Sequence, residues 1–517
     1  MQNMIRIFGC FLLLLMGCSL TMAAGSGDVK IGYIFIDETG NLSVDRSTFN
    51  DYAGPSISLE NFRYSFDNGT VLRASLRNAI MNNRNLTAEI GKPGLYSLKA
   101  SHNQFRRVYD FEGSHFTRRH QESVAFSLFP VRYLEFFGGG AYMGRSGATA
   151  DLFNPTPAPA TVNVDYKQTF YNGGVRLRYQ ALMLQAEYRG NQFRDNDNAS
   201  RDQDRTEGRV SGLLRLPQFD RLTVTGGFRH FETKYTKADF LISSNRAWGG
   251  VWLELPADFS FRYFFSIDRT SSDSDYVATD NIVHAVYVGY TRLKLAGVTI
   301  GYQHDLNDKY FEQAQGNALY ASGWLKPVDR IELRAEYGTR AEDVKEGVRL
   351  VGNEERNRHK VSVKCRYSEN ANIALKYEGK TRKNDDIGSK TTFNRAAIDG
   401  TYKLAKYGVA QVGYAYVLGK YENATQNFEF ADHLVYGDIN SAEYHNLTVG
   451  IGGTYCRSWR DLNVESSNLR FTAGYRIPKD YRVEVIYNVH NFDDFLVRDQ
   501  YYTSNIIEVN LIKGLSF

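Results

Sequence analysis

After Ala23 the chain contains no run of 18 consecutive apolar residues, so no transmembrane helix is written into it. Cysteine is nearly missing: four residues in all, of which only Cys365 and Cys456 lie beyond the leader, 91 positions apart. That excludes a disulfide framework, and with no C-x-x-C-H the chain attaches no c-type haem of its own. Charge of one sign is lacking too, since 62 Lys and Arg face 58 Asp and Glu for a net +4. A strongly basic nucleic-acid binder and a highly charged disordered chain are both excluded. Proline is scarce, at 10 residues.

What is present is aromatic and glycine-rich: 35 Tyr, 32 Phe and 45 Gly in 517 residues. Mean hydropathy is −0.43. This balance fits a large all-β protein. Residues 1–23 read as an export signal, with Arg6 ahead of a short apolar stretch and Thr21-Met22-Ala23 as a small-residue cleavage site. Cys18 after Leu15-Met16-Gly17 also suggests a lipidation site, although Met16 suits that motif poorly. The expected mature chain is residues 24–517, as one domain.

Alternation with a period of two dominates that chain. Ile331-Glu332-Leu333-Arg334-Ala335-Glu336-Tyr337 places apolar and charged side chains on opposite faces of a strand. The stretches 361–367, 373–378 and 482–490 repeat the pattern. Short turns are expected at Pro130-Val131, Pro217-Gln218, Pro256-Ala257, Lys326-Pro327, Asn370-Ala371 and Pro478-Lys479. Long polar loops are expected over 147–162, 193–207, 270–280, 342–358 and 421–444. Short turns at one end and long loops at the other, with aromatics such as Tyr133 and Tyr263 for the interfacial girdles, describe an outer-membrane barrel. The chain closes on an alternating strand ending in Phe517, as such barrels do, with Lys513 snorkelling to the interface. The expected fold is thus an all-β transmembrane barrel of about 24–26 antiparallel strands, from the count of alternating segments.

A barrel that wide would leak unless filled. Apart from residues 41–55 and the loops, no segment is left over to act as a plug. Parity puts Glu332, Arg334, Glu336, Lys364, Arg366, Lys376, Glu378, Arg482 and Glu484 on the inner wall. Both signs of charge are present, which suits contact with a polar protein surface better than a one-sign ion filter.

Other candidates are weaker. His115 and His120, five positions apart with Arg118 and Arg119 between them, do not converge on one ion. The run Asp195 to Asp204 lacks the ligand and glycine spacing of a calcium loop. Gly138-Gly139-Gly140 reads as close strand packing. No G-x-S-x-G elbow occurs, which leaves Ser101-His102 and Asp432-His433 as the only candidate pairs for a hydrolase. The expectation is a non-enzyme.

One stretch carries a family cadence. Leu72-Arg73-Ala74-Ser75-Leu76-Arg77-Asn78 leads through Asn83-Arg84-Asn85-Leu86 and Glu89-Ile90-Gly91 to Pro93-Gly94-Leu95-Tyr96-Ser97-Leu98. This resembles the outer-membrane barrels of porin–cytochrome conduits, the MtrB/PioB family, over residues 56–107. The resemblance implies a barrel that sheathes a periplasmic multihaem c-type cytochrome, with an extracellular multihaem cytochrome docked outside in some systems. Haem c would belong to the partner, and electrons would cross the outer membrane along it. The chain is short for that family and lacks the N-terminal C-x-x-C of some members. A general or substrate-specific diffusion porin is the alternative, and a secretion or adhesion barrel a third class.

Overall fold

The computed structural model describes residues 24–517 apart from 44–45, 47–49, 111, 151–160, 217–220, 274–277, 293, 310–311, 348–351, 498–499 and 517. The signal segment, Cys18 and the turn at Pro217-Gln218 therefore lie outside the described residues.

Twenty-six strands follow one another. β1 to β5 are Ala24–Gly40, Gly54–Ser65, Val71–Arg77, Asn85–Lys92 and Tyr96–Val108. β6 to β10 are Phe116–Val131, Leu134–Ala150, Thr161–Tyr179, Leu182–Asp195 and Gln203–Arg215. β11 to β15 are Leu222–Tyr235, Phe240–Glu254, Phe259–Ser272, Thr279–Arg292 and Ala296–Lys309. β16 to β20 are Glu312–Val328, Ile331–Gly347, Glu354–Arg366, Ala371–Asn384 and Ser389–Lys403. β21 to β26 are Gly408–Glu422, Asn427–Ser441, Leu447–Arg460, Val464–Ile477, Tyr481–Asp494 and Tyr501–Ser516. Each pairs antiparallel with the next, and β1 pairs with β26 from Ser26↔Ser516 to Gly40↔Tyr502. The wall is closed and has no free edge, as a bilayer-spanning sheet requires.

The outer face explains where this wall sits. On β15, Val298, Ile300 and Tyr302 are exposed, followed by His304 and Leu306, while Thr299, Gly301, Gln303 and Asp305 face the other way. β14, β18 and β23 carry the same apolar column, so exposed apolar side chains encircle the barrel. Left in water these columns would be an aggregation surface; lipid covers them. Toward the ends of the strands remote from the termini, the column passes into hydrogen-bonded polar rings. Tyr263 Oη meets His284 Nδ1 at 2.9 Å, and Tyr414 Oη meets His433 Nδ1 at 2.6 Å. This is the girdle at that interface. At the other rim the Lys513 ammonium lies 4.4 Å from the centre of the Tyr481 ring and donates to the Lys479 carbonyl, so it snorkels as the sequence implied.

Connections beside the termini are two to six residues long. Three of them are mirror-image turns, with φ of 60° and 65° at Ala257 and Asp258, 47° and 68° at His445 and Asn446, and 67° and 62° at Lys479 and Asp480, matching the strand twist. Those turns, Asn370-Ala371 and the strand ends at Pro130-Val131 and Lys326-Pro327 all lie at this end, beside the termini. The opposite connections are longer on the whole, 13 residues at most, yet shorter than the sequence suggested. The expected loop over 421–444 holds β22, and strands enter the other four from both sides. Polar residues there mark the exit from lipid rather than the end of the ladder. Pairs such as Arg194–Asp204 at 2.7 Å keep the strands together in water.

Candidate functional site: the lumen wall

A closed wall of 26 strands, spaced about 4.8 Å and tilted about 40°, encloses a lumen about 50 Å across between backbones. What lines and enters it is therefore the functional surface.

Register settles the lining. On β17 and β18, Glu332 stands opposite Lys364, Arg334 opposite Ser362, and Glu336 opposite Lys360. On β18 and β19, Lys360 faces Glu378 and Ser362 faces Lys376. These positions alternate with the exposed columns of Tyr337, Val361, Leu375 and Tyr377, so they look into the barrel, as does Arg366. Arg482 and Glu484 share the inner face of β25, alternating with exposed Val485. The structure thus turns all nine expected residues inward, in two separate groups.

Within the larger group the carboxylates are shared. Glu378 accepts Arg358 at 3.0 Å and Lys380 at 3.2 Å, with Lys360 at 3.9 Å. Glu332 holds Lys326 at 3.2 Å and also Arg334. Lys376 reaches Asp399 on β20 at 2.6 Å, and Tyr436 donates to the same carboxylate. In the smaller group Lys30 on β1 bridges Glu508 at 2.8 Å and Glu484 at 3.5 Å. Arg358, Lys360, Lys380, Arg395 and Asp399 belong to the larger group but were not singled out in the sequence. Carrying the alternation two residues further along the named segments finds Lys360 and Lys380; Arg358 lies beyond that reach, and Arg395 and Asp399 lie on β20, where no alternating segment was singled out.

Among the described residues, the connection between β1 and β2 enters the lumen. β3 and β4 have 7 and 8 residues, the shortest strands, and leave a notch between the tops of β2 and β5. Residues 78–84 fill it, with Ala79 N donating to Ile57 O at 2.8 Å and Gln104 N to Arg84 O at 3.1 Å. Against them packs the described part of 41–53. Asn83 Nδ2 donates to Asn50 O at 3.0 Å, and the Arg106 guanidinium lies 4.2 Å over the Tyr52 ring. Tyr52 also joins an apolar cluster of Ile34, Ile36, Met81 and Ile506. Asp51 reaches a hollow shared with Asp438, Arg470, Asn488 and His490 from the inner faces of β22, β24 and β25. Burial pushes its carboxyl up to about 6, nearby Glu508 adding to the effect and Arg106 opposing it. The sequence left this segment uncommitted, and the structure makes it a lining of one side of the wall.

The hydrolase candidates separate, because adjacent strand residues face opposite sides. Ser101 Oγ bonds Ser123 Oγ at 2.7 Å, while His102 turns to Glu122 at 3.5 Å. Asp432 accepts from Ser458 at 2.5 Å, while His433 lies in the outer girdle. His115 bonds Asp110 at 3.2 Å in the 109–115 loop, and His120 sits beside Tyr142 on the outer face. Asp195 is used by the amides of Asp197 and Asn198 and by Arg201 at 2.9 Å. At Gly139 a methyl group would lie 2.5 Å from Val124 O, which is the close packing expected of that glycine run. Cys365 and Cys456 are both free, one on the outer and one on the inner face.

A closed wall with an apolar belt and a polar interior defines a large outer-membrane β-barrel. No protein-family model and no curated protein matches the chain. Among solved structures it is similar to the siderophore receptor PirA from Pseudomonas aeruginosa, at 12% identity, TM-score 0.51, covering 81% of this chain and 80% of that one. It is also similar to the ferric enterobactin receptor PfeA in complex with BCV-L6, at 8% identity, TM-score 0.54, covering 96% and 82%. The FrpB iron transporter from Neisseria meningitidis gives 8% identity and TM-score 0.51 over 97% and 82%. At these identities the likeness is one of fold alone.

Proposed function

We propose that the barrel is a sheath that holds a multihaem c-type cytochrome and so permits electrons to cross the outer membrane. The observation behind this reading is the width of a closed 26-strand wall into which, among the described residues, the 41–53 connection folds along one side. A lumen about 50 Å across admits a folded domain, and leaving it open would breach the membrane. Its polar lining of both signs suits a hydrated protein surface, and the resemblance over residues 56–107 supplies the class of occupant. In this reading the chain carries no cofactor; a periplasmic cytochrome brings the haem c. The wall insulates and aligns it, and an extracellular cytochrome docked at the outer loops exchanges electrons with it.

Purification of the native protein in mild detergent, with a visible spectrum and haem stain of what accompanies it, tests the proposal. A stoichiometric c-haem Soret band on a partner subunit is expected. A colourless, homogeneous barrel from cells rich in cytochromes would sink the sheath, and the diffusion porin would take its place.

A further inference from the structure

The lumen is not electrically uniform, and its asymmetry bears on how an occupant sits. The inner face of β18 reads Glu354, Arg356, Arg358, Lys360, Ser362, Lys364, Arg366, a ladder of cations with one carboxylate at its extracellular end. Of the carboxylates beside this ladder, all but Glu336 are already shared. Glu354 is taken by Arg356 and by Arg382 at 2.7 Å, and Glu378 by Arg358 and Lys380. Among the described residues no carboxylate pairs with Lys364, Arg366 or Arg395, and all three are exposed to the lumen. About a quarter turn round the wall the lining is of mixed sign: Lys30 lies between Glu484 and Glu508, Arg482 shares the inner face of β25, and Asp51 projects beside Arg470.

We infer that β18–β20 form a docking face for an acidic protein surface, so that the wall fixes the rotation of its occupant about the barrel axis. The inference rests on the sheath reading and adds the chemistry of the partner's contact face. Inward side chains recur about 6.7 Å apart along a strand and about 4.8 Å between strands. Carboxylates one turn apart on a helix lie about 5–6 Å apart. A rigid lattice of unpaired cations therefore meets several carboxylates of a folded partner at once. The hydrated, two-sign remainder of the wall excludes nothing and selects little. Complementarity of this kind contributes orientation and rate of entry more than affinity.

The test uses the whole barrel, freed of any partner, in planar bilayers at low salt. Poly-L-glutamate and poly-L-lysine of equal length are the probes, and the readout is the concentration that halves conductance. Poly-L-glutamate is expected to block at a concentration lower by about tenfold or more. The triple variant Lys364→Glu, Arg366→Glu, Arg395→Glu is expected to reverse that preference. Its neutral counterpart, with Gln at the three positions, should abolish it and keeps the test open should the reversed variant fail to fold. Equal block by the two polymers, or a preference that survives both variants, overturns the docking face. A colourless native barrel that still prefers poly-L-glutamate would instead remove the cytochrome and leave the basic face standing.

Discussion

Arg106 Nη2 donates to the Asp51 carbonyl at 3.2 Å, while Asn50 Oδ1 accepts from Arg106 N at 3.2 Å, so the top of β5 clasps the segment that enters the lumen. The clasp holds a buried carboxyl against an acidic neighbour. Its carboxyl, raised from 3.8 to about 6, gives the docked segment a proton that the free segment has already lost in that pH range. Docking is therefore strongest at low pH and weakens as pH rises through 6, by up to about 3 kcal/mol in all. Amide exchange of residues 50–53, corrected for intrinsic rates, should be slower at about pH 5 than at about pH 8. Asp51→Asn should flatten that dependence; an unchanged profile in the variant would assign it to another group.

The outer belt makes a depth-dependent prediction. Ile300 is exposed at mid-column on β15, flanked by Val298 and Tyr302. Ile300→Arg should destabilise the barrel in lipid by about 2–4 kcal/mol. Thr299→Arg, one position along and facing the lumen, should cost far less. Reversible urea unfolding in vesicles measures both. Equal costs would mean that these two faces have been assigned wrongly.

The contrast shows why so much of the wall was legible in the sequence. A strand alternates with a period of two, so once Tyr337 and Val361 are placed in lipid, Glu336 and Lys360 have nowhere to point but inward. Strand number follows from counting such segments, and closure from the absence of any tolerable edge. Loop length was not legible: Phe193 to Asp195 and Gln203 to Glu207 look polar because they rise out of the bilayer, although the β9–β10 ladder continues unbroken through Gln203↔Phe193. Nor was the inward course of residues 41–53. It depends on the shortness of β3 and β4 and on contacts with Met81, Arg106 and Ile506, far away in sequence.

Glu378 offers a direct reading of the lumen's charge. It neutralises Arg358, Lys380 and Lys360 from one position. In Glu378→Gln the three cations lose their shared partner, and the reversal potential of the empty barrel in a salt gradient should move toward anion selectivity. Stability should change by less than about 1 kcal/mol, since ion pairs open to water contribute little. An unchanged reversal potential would place Glu378 off the conducting path.

The two free cysteines report on occupancy. Cys365 sits on the outer face of β18, opposite Ile331 and Ile373, where lipid covers it. Cys456 lies on the inner face of β23, opposite Leu434 and Ser466. A charged maleimide should modify Cys456 in the empty, reconstituted barrel and leave Cys365 untouched, because the thiolate reacts only where water reaches it. Cys365→Ser should therefore leave the labelling unaltered, and Cys456→Ser should abolish it. In native membranes a domain filling the lumen would shield Cys456, and displacing that domain should restore its reactivity. Rapid labelling in native membranes, equal to that of the empty barrel, would mean that this wall encloses water.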